Sequence, residues 1–361
     1  MERTPLFEVH RKLKARLVDF EGWEMPLSYA GVVAEHRAVR ESMGLFDICH
    51  MGRLSVTGAD AEPFLQHVTV NNVSLLKEGS AHYSLVCNRS GGVRDDIFIY
   101  RKGQADFFIC VNASNREKIF QWFLENRKNF KVEIRDLSKE TGMLALQGPR
   151  APALFDKIAG KTLTLKHWEF KETEIAGIPV MVARTGYTGE RGYEFYFPWA
   201  SAEGLWNLLF EAGKQDGLLP VGLGARDTLR LEMGYPLYGH ELSEEISPLE
   251  AGLENFVHFE KAEFIGKEPL LRQKEKGVQR ILIGFELKEK SVPRQHCRVF
   301  FGGKAIGEVT SGNLTPSVQK GIGMALVESG KIGPGADIEI EIREKKIPAV
   351  TTKKSFYGKK K

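Results

Sequence analysis

Apolar and polar residues alternate from Val93 to Tyr100, directly after the turn-forming run Asn88–Gly92, and this pattern predicts a strand that leaves a tight reversal. Successive side chains of a strand point to opposite faces, so Asp95 and Asp96 are expected on opposite sides. The residues on the face of Asp95 are Val93, Ile97 and Ile99, and those on the face of Asp96 are Arg94, Phe98 and Tyr100. One carboxylate therefore enters a largely apolar or aromatic layer, where a charge is costly without partners. This carboxylate either accepts hydrogen bonds from backbone N–H groups of the turn or has a chemical role.

Helical and strand patterns follow one another through the first 277 residues, which indicates an α+β fold. A helix over 31–43 is expected to end at Gly44, and a capping box at Ser114–Glu117 is expected to open a helix that reaches Asn126. The other predicted helices span 59–68, 151–158, 201–212 and 220–233. The other predicted strands are 53–57, 82–88, 107–112 and 143–147, the third of them forming a hairpin with 93–100.

From Val278 the pattern changes to strands separated by Gly, Pro and Asn turns, at 279–287, 297–301, 305–310 and 337–342. This spacing predicts a small all-β barrel or sandwich of roughly 80 residues. A chain of 361 residues is also too long for one small core, so two or three domains are expected.

Composition and charge argue against several classes of protein. Lys and Arg number 51 against 47 Asp and Glu, a mild formal charge of +4 without the clustering that nucleic-acid binding requires. The one basic block, 359–361, is expected to be a solvated tail. No apolar run is long enough to cross a membrane, no presequence is evident, and the four cysteines lack C-x-x-C spacing. The expectation is a protein of the reducing cytoplasm, with no membrane or nucleic-acid partner.

Two stretches in the middle of the chain combine glycines with charged residues. Glu194 follows three glycines within 186–192, where the backbone can turn sharply or approach a ligand, and its side chain lies either at the surface or in a pocket. Arg226 is expected in the first turn of the helix 220–233, where the helix dipole favours an anion. Arg226 either offers a bidentate donor to a carboxylate ligand or forms a structural bridge with an Asp or Glu.

Polar residues at strand ends give further candidates. Asn112 closes the strand 107–112 and is either a cap or turn residue or a pocket residue. His50 is a base, a ligand or a hydrogen-bonded structural histidine, and no second His stands at metal-ligand spacing. Dinucleotide-binding, P-loop, zinc-protease and serine-hydrolase motifs all fail on their spacing. Carboxylates, aromatics, an Arg and Gly-rich turns are left, and they suit a flat, polar heteroaromatic molecule with an acidic tail.

A series of short motifs runs almost from end to end of the chain. They are Thr4–Leu6, Asp19–Pro26, Gly44–Asp47 with His50–Met51, Gly91–Asp96, Gln147–Pro149, Thr185–Glu190, Gly222–Asp227, Leu237–Gly239, Phe264–Lys267 and Thr310–Asn313. In this order and spacing the chain resembles the T-protein aminomethyltransferases of the glycine cleavage system. It departs from the family at Cys49, where Ser is common.

The resemblance implies three domains arranged like a clover leaf around a central tetrahydrofolate channel. Their expected bounds are 1–52 with 138–240, 53–137 with 241–277, and 278–361. The implied reaction transfers an aminomethyl group from the lipoyl arm of the H-protein to tetrahydrofolate, giving ammonia, dihydrolipoyl H-protein and 5,10-methylenetetrahydrofolate, without a metal. The family's catalytic aspartate matches Asp96. Its pterin and folate contacts match Tyr83, Asn112, Tyr187, Glu194 and Arg226.

The implied roles agree with the chemistry of these residue types. Glu194 can accept hydrogen bonds from the amino and ring N–H groups of a pterin, and Tyr83 and Tyr187 offer flat surfaces and hydroxyls. Asp96 would act on the folate nitrogens as an acceptor or general base. The alternatives are another tetrahydrofolate-dependent demethylase of this fold, a non-enzymatic folate-binding protein, and an unrelated small-molecule carrier.

Overall fold

The structure is a computed structural model that describes residues 1–160 and 164–358. The chain forms two compact units, each drawn from separate stretches of sequence. Unit 1 contains Met1–Gln66, Val73–Tyr83 and Ile97–Asp227, and unit 2 contains His67–Asn72, Ser84–Asp96 and Thr228–Lys361. The three-domain division stays a prediction, and the tail 359–361 lies outside the described residues.

Helices and strands are mixed along the described part of the chain. The helices are α1 (Phe7–Lys12), α2 (Val32–Glu41), α3 (Ala61–Val68), α4 (Arg116–Asn126), α5 (Ala151–Ala159), α6 (Ala202–Gly213), α7 (Leu223–Glu232) and α8 (Lys267–Lys276). The strands are β1 (Arg16–Phe20), β2 (Trp23–Ser28), β3 (Met43–Asp47), β4 (Gly52–Thr57), β5 (Ser80–Cys87), β6 (Val93–Gly103), β7 (Asp106–Val111), β8 (Glu133–Asp136), β9 (Thr141–Gln147), β10 (Phe170–Ile175), β11 (Ile178–Ala183), β12 (Gly192–Pro198), β13 (Leu218–Val221), β14 (Arg280–Leu287), β15 (Arg298–Phe301), β16 (Lys304–Leu314), β17 (Gly321–Glu328), β18 (Asp337–Ile342) and β19 (Lys345–Thr352). The α+β expectation is confirmed.

A six-stranded sheet in the order β10-β11-β12-β9-β3-β13 is the centre of unit 1. One of its faces is covered by α5 and α6 and carries the large apolar side chains of alternate positions, as period-two patterning requires. The central members of this core are Leu144, Leu146, Phe155, Tyr193, Phe195, Leu205, Trp206 and Leu209. Burying each of these side chains contributes about 1.5–3 kcal/mol, so this face holds the sheet rigid.

The opposite face of the six-stranded sheet is more polar and meets a second layer. A five-stranded sheet has the order β5-β6-β7-β4-β8, and its strands β4, β7 and β8, with β6 from Ile97 onward, belong to unit 1. Tyr100 and Tyr196 join the two layers with their hydroxyl oxygens 2.9 Å apart, and the rings of Phe108 and Tyr196 lie 5.0 Å apart. The layer between the sheets therefore contains phenols as well as apolar rings, and it borders Glu194.

The strand predicted at 93–100 is confirmed, and β6 continues to Gly103. Buried and partly exposed residues alternate from Val93 to Ile99. Asp95 has no exposed surface, whereas Asp96 is partly exposed, so the predicted opposite orientation of the two carboxylates is confirmed.

In unit 2 the strands after residue 279 close into a barrel in the order β14-β17-β16-β15-β18-β19. Every pairing is antiparallel, and β14 pairs with β19 to complete the circle. Phe285, Val299, Val309 and Ile340 fill the interior at alternate strand positions. The predicted all-β domain is confirmed, and of the two alternatives, barrel and sandwich, it is the barrel; the sequence pattern did not indicate β17 and β19.

Two local predictions were wrong, and packing explains the first. Gly44 does not end a helix: α2 ends at Glu41, and Gly44 lies within β3. A Cβ at this position would overlap the side chains of Val39 and Val221, so close packing requires the glycine. The capping box before α4 is also absent, because a 3₁₀ turn occupies Ala113–Asn115 and no side chain caps the helix at Asn115.

Candidate functional site

Glu194 is the central acid of unit 1. It lies in β12, in register with Ala145 of β9 and Ala183 of β11, on the sheet face that meets the phenol layer. Its side chain is buried, and Thr185 Oγ1 donates a hydrogen bond of 2.5 Å to Oε2. Burial raises the pKa of Glu194, while the bond from Thr185 and the charge of Arg226 oppose that rise. The structure thus places Glu194 inside the protein and not at its surface.

The glycine-rich loop before β12 is fixed by the buried amide of Gln147. Gln147 Nε2 donates to the carbonyl oxygen of Thr185 at 3.1 Å, and Thr188 Oγ1 donates to Gln147 Oε1 at 2.8 Å. A Cβ at Gly186 or Gly192 would overlap the Gln147 side chain, so these glycines make room for that amide. The loop therefore presents Tyr187 from a fixed backbone.

Arg226 lies in the first turn of α7, where its backbone N–H donates to the carbonyl oxygen of Gly222 at 3.1 Å. Its guanidinium carbon stands 4.8 Å from the centroid of the Tyr187 ring, a cation–π distance. Burial lowers the pKa of Arg226, and the neighbouring Tyr187 and Glu194 oppose that change. Glu194, Tyr187 and Arg226 are therefore brought together into one cluster.

The helix start that carries Arg226 is held by a second buried carboxylate. Glu35 Oε2 accepts a hydrogen bond of 2.9 Å from the backbone N–H of Gly222. Its other oxygen, Oε1, accepts from the backbone N–H groups of Tyr29, Ala30 and Gly31 at 2.6–2.9 Å. These charge-assisted bonds fix the position from which α7 starts.

Two of the other predicted residues lie in unit 1. The half-buried Tyr83 contacts Phe98, with ring centroids 5.7 Å apart. Asn112 follows β7 and precedes the 3₁₀ turn 113–115 without capping it through its side chain. A side-chain cap is thereby excluded, but Asn112 does take part in the turn, because its carbonyl oxygen accepts from the backbone N–H of Asn115 at 3.1 Å.

The predicted catalytic residue, Asp96, belongs to unit 2 and is partly exposed on β6. Its local surroundings are acidic. Burial raises the pKa of Tyr238, and the carboxylates of Glu244, Asp95 and Asp96 add to that rise. Arg94 Nη1 donates to Glu244 Oε2 at 3.2 Å and supplies positive charge. The phenol of Tyr238 thus stays protonated beside the aspartate pair.

Sequence reasoning did not place Thr185, Tyr100 and Tyr196 near Glu194, because local patterns do not show which strands face one another. It left His50 open between base, ligand and structural residue. The structure buries His50, and burial together with Arg226 lowers its pKa to about 3. Among the described residues, no group of three His, Cys, Asp or Glu side chains is arranged to hold a metal ion.

The loop that carries His50 is anchored by Asp47. Asp47 Oδ2 accepts from Thr4 Oγ1 at 2.6 Å and lies 2.8 Å from His10 Nε2, while Oδ1 accepts from the backbone N–H of Cys49 at 2.9 Å. Burial alone would raise the pKa of Asp47, but these bonds and the charge of His10 outweigh it and hold the pKa at about 2.

Asp47→Asn is expected to lower the free energy of unfolding at neutral pH by about 2 kcal/mol. A carboxyl whose pKa falls from 3.8 to about 2 on folding stabilises the protein above pH 3.8, and this stability is lost as the pH falls toward 2. Urea unfolding between pH 6 and pH 2.5 measures both effects. The exposed Asp216→Asn is the control, and an Asp47→Asn curve that keeps the wild-type acid slope would contradict the assignment.

Comparison with known proteins identifies the family. A family model described as the GCVT N-terminal domain matches residues 6–261, and one described as the glycine cleavage T-protein C-terminal barrel domain matches residues 280–358. The aminomethyltransferase of Caldanaerobacter subterraneus subsp. tengcongensis is 46% identical over 361 residues, covering 99% of this chain and 96% of that protein. The chain belongs to the glycine cleavage T-protein family.

Further relatives support this family membership. The aminomethyltransferase of Thermoanaerobacter sp. (strain X514) is 45% identical over 99% of this chain and 98% of its own length. The crystal structure of glycine cleavage system aminomethyltransferase T from Bartonella henselae matches with a TM-score of 0.93 and 33% identity, covering 99% of this chain and 98% of that one. The T-protein family activity, that of an aminomethyltransferase of the glycine cleavage system, is therefore assigned to the chain. No helix among residues 1–160 and 164–358 has the length and apolarity of a membrane span.

Proposed function

We propose that the chain transfers the aminomethyl group on the lipoyl arm of the H-protein to tetrahydrofolate. The products are ammonia, dihydrolipoyl H-protein and 5,10-methylenetetrahydrofolate. The observation that carries this proposal is the cluster of unit 1: a buried carboxylate, Glu194, whose charge interacts with the Arg226 guanidinium, which lies over the ring of Tyr187. It rests also on family membership, which implies the clover-leaf arrangement of three domains around a folate channel.

The chemistry of the Glu194 cluster fits the polar edge of a reduced pterin. A carboxylate with one oxygen held by Thr185 keeps acceptor capacity for the amino and ring N–H groups of the pterin. Arg226 supplies donors in a fixed plane for polar or anionic groups of the folate, and Tyr187 supplies a flat surface. Asn112 and Tyr83 complete the proposed contacts, with an amide and a second phenol.

In this proposal Asp96 is the catalytic residue. Its carboxylate accepts a hydrogen bond or a proton from a folate nitrogen, which raises the nucleophilicity of that nitrogen toward the aminomethyl carbon as ammonia leaves. The same negative charge stabilises positive charge that develops on the transferred carbon. Partial exposure supports this assignment over Asp95, because Asp95 has no surface to offer a substrate.

The reaction itself is tested by ammonia release from aminomethylated H-protein, measured with and without tetrahydrofolate. We expect release that depends on tetrahydrofolate and forms 5,10-methylenetetrahydrofolate. Methyl transfer from a small amine or sulfonium donor instead would favour the demethylase alternative, and folate binding without turnover would favour a binding protein. We infer a reducing cytoplasm as the compartment, which the four free cysteines support.

Glu194→Gln is expected to weaken tetrahydrofolate binding about 10- to 100-fold, because it removes a charged acceptor from the proposed pterin contact. The raised pKa of Glu194 also predicts that wild-type affinity falls as the pH drops through that pKa, since protonation removes the acceptor. The variant should lose this pH dependence. Equilibrium titration with tetrahydrofolate across pH measures both effects.

The matched control for this titration is Glu174→Gln, which alters an exposed glutamate of the same six-stranded sheet and should bind as the wild type does. Equal affinities of the Glu194→Gln variant and the wild type at all pH values would remove Glu194 from the pterin site.

A further inference from the structure

A cationic side chain of β6 neighbours the proposed catalytic carboxylate. Arg94 and Asp96 lie on the partly exposed face of the strand, and side chains two positions apart on one face are about 7 Å from each other. A guanidinium at this distance favours the ionised form of a carboxylate and so lowers its basicity. The strength of Asp96 as a general base therefore depends on what neutralises Arg94.

Glu244 supplies the charge that opposes Arg94. Arg94 Nη1 donates to Glu244 Oε2 at 3.2 Å, which makes the two residues an ion pair. The side chain of Arg94 is 18% exposed and that of Glu244 is 41% exposed. Water screens a charge that is largely covered less than one at the open surface, so the carboxylate of Glu244 acts effectively on this guanidinium.

The backbone of Glu244 is fixed against the turn that precedes β6. Asn88 Nδ2 donates to the carbonyl oxygen of Glu244 at 3.0 Å, and a Cβ at Gly92 would overlap that oxygen. The carbonyl oxygen of Ser243, one residue earlier, accepts from the backbone N–H of Val93 at 2.9 Å. The segment that carries Glu244 thus lies against β6 through its main chain, and the glycine of the turn leaves room for it.

Two further titratable groups surround the aspartate of this face. Asp95 has no exposed surface and points to the opposite face of β6. Burial raises the pKa of Tyr238, and the surrounding carboxylates add to that rise, so the phenol stays neutral over the pH range of an activity assay. The charge on the face of Asp96 is therefore set by the balance between Arg94 and Glu244.

We propose that Glu244 is a positioning residue of the transfer reaction, which holds and neutralises Arg94 so that the Asp96 carboxylate stays basic toward a folate nitrogen. This inference rests on the proposed role of Asp96. Glu244 contacts neither the folate nor the transferred carbon in this proposal and acts through the guanidinium alone.

Single variants of the ion pair should shift the pH profile of the reaction in opposite directions. The profile is the pH dependence of kcat for ammonia release at saturating tetrahydrofolate and aminomethylated H-protein. In Glu244→Gln the charge of Arg94 is uncompensated, so the acid limb should move down by about 0.5–1 pH unit and kcat should fall about three- to tenfold. In Arg94→Gln the carboxylate of Glu244 remains alone, so the acid limb should move up by about the same amount. The double variant should return the limb to within about 0.3 pH unit of the wild type, because both charges are gone.

The control is Glu245→Gln, which alters the adjacent exposed glutamate and should keep the wild-type profile. A wild-type profile in Glu244→Gln would overturn the inference. Lower melting temperatures in both single variants without opposite shifts of the acid limb would also overturn it, because they would show a purely structural ion pair. Failure of the proposed function is distinguishable, since the wild-type protein would then release no tetrahydrofolate-dependent ammonia, and failure of the Asp96 role would appear as activity of Asp96→Asn within about tenfold of the wild type.

Discussion

Asp96→Asn is expected to reduce tetrahydrofolate-dependent ammonia release at least a hundredfold. The amide keeps the size of the side chain but has neither the negative charge nor the basicity of a carboxylate. General base catalysis of this kind contributes about 10²–10⁴ to a rate, and electrostatic stabilisation of the transferred carbon would add to the loss. Because Asp96 is only partly buried on β6, the substitution leaves the fold intact. The rate is followed with aminomethylated H-protein under saturating tetrahydrofolate.

The neighbouring Asp95→Asn is the matched control for Asp96. Asp95 has no exposed surface, so its substitution should lower the melting temperature and leave the rate of the folded protein within tenfold of the wild type. Transfer activity of Asp96→Asn within about tenfold of the wild type would remove Asp96 from the chemistry. A larger rate loss in Asp95→Asn than in Asp96→Asn would exchange the two roles.

Glu241→Ala is expected to lower the free energy of unfolding by about 3–5 kcal/mol, the largest effect on stability that we predict. Glu241 and Arg230 form a fully buried ion pair in unit 2, with Arg230 Nη1 3.0 Å from Glu241 Oε2. The other guanidinium nitrogen, Nη2, donates to Ser311 Oγ of β16 at 2.8 Å, so Arg230 also links α7 to the barrel. Removing Glu241 leaves the charge of Arg230 buried without compensation.

Urea unfolding of two further variants, a control and a rescue variant, tests this prediction. Glu341→Ala breaks a solvent-accessible pair with Arg298 on the barrel surface, and because water screens that pair the substitution should cost far less stability than Glu241→Ala. The double variant Arg230→Met with Glu241→Leu should recover most of the loss, because apolar side chains do not need a counter-charge. If Glu241→Ala is no less stable than Glu341→Ala, the buried pair does not stabilise unit 2.

Local sequence patterns correctly predicted the features that depend only on backbone geometry, such as the alternation of side chains along a strand. The period of two places Asp95 and Asp96 on opposite faces whatever surrounds the strand, and the structure confirms this alternation. The turn-separated strands after Val278 predicted a small all-β barrel or sandwich, because turns and strands have local signals. Closure of the barrel was not predictable, since it depends on which strands find one another, and β19 was not recognised at all.

Features set by distant residues were beyond the sequence pattern. Gly44 reads locally as a helix end, but its constraint comes from Val221, which lies far along the chain. For Glu194, strand alternation allowed two positions, at the surface or in a pocket. It does not show which face of a sheet is covered by other elements. The roles of Asp96, Glu194 and Arg226 came from the family resemblance and stay predictions, although Glu194 and Arg226 do meet in one cluster.

The pairing of β14 with β19 has a consequence for folding of the nascent chain during synthesis. A closed barrel has no edge strand, whereas a barrel without β19 exposes the unpaired backbone of both β14 and β18. During synthesis these two edges are open until Lys345–Thr352 has left the ribosome. The nascent chain therefore keeps two unpaired strand edges, to which another chain could add, until its last barrel strand emerges.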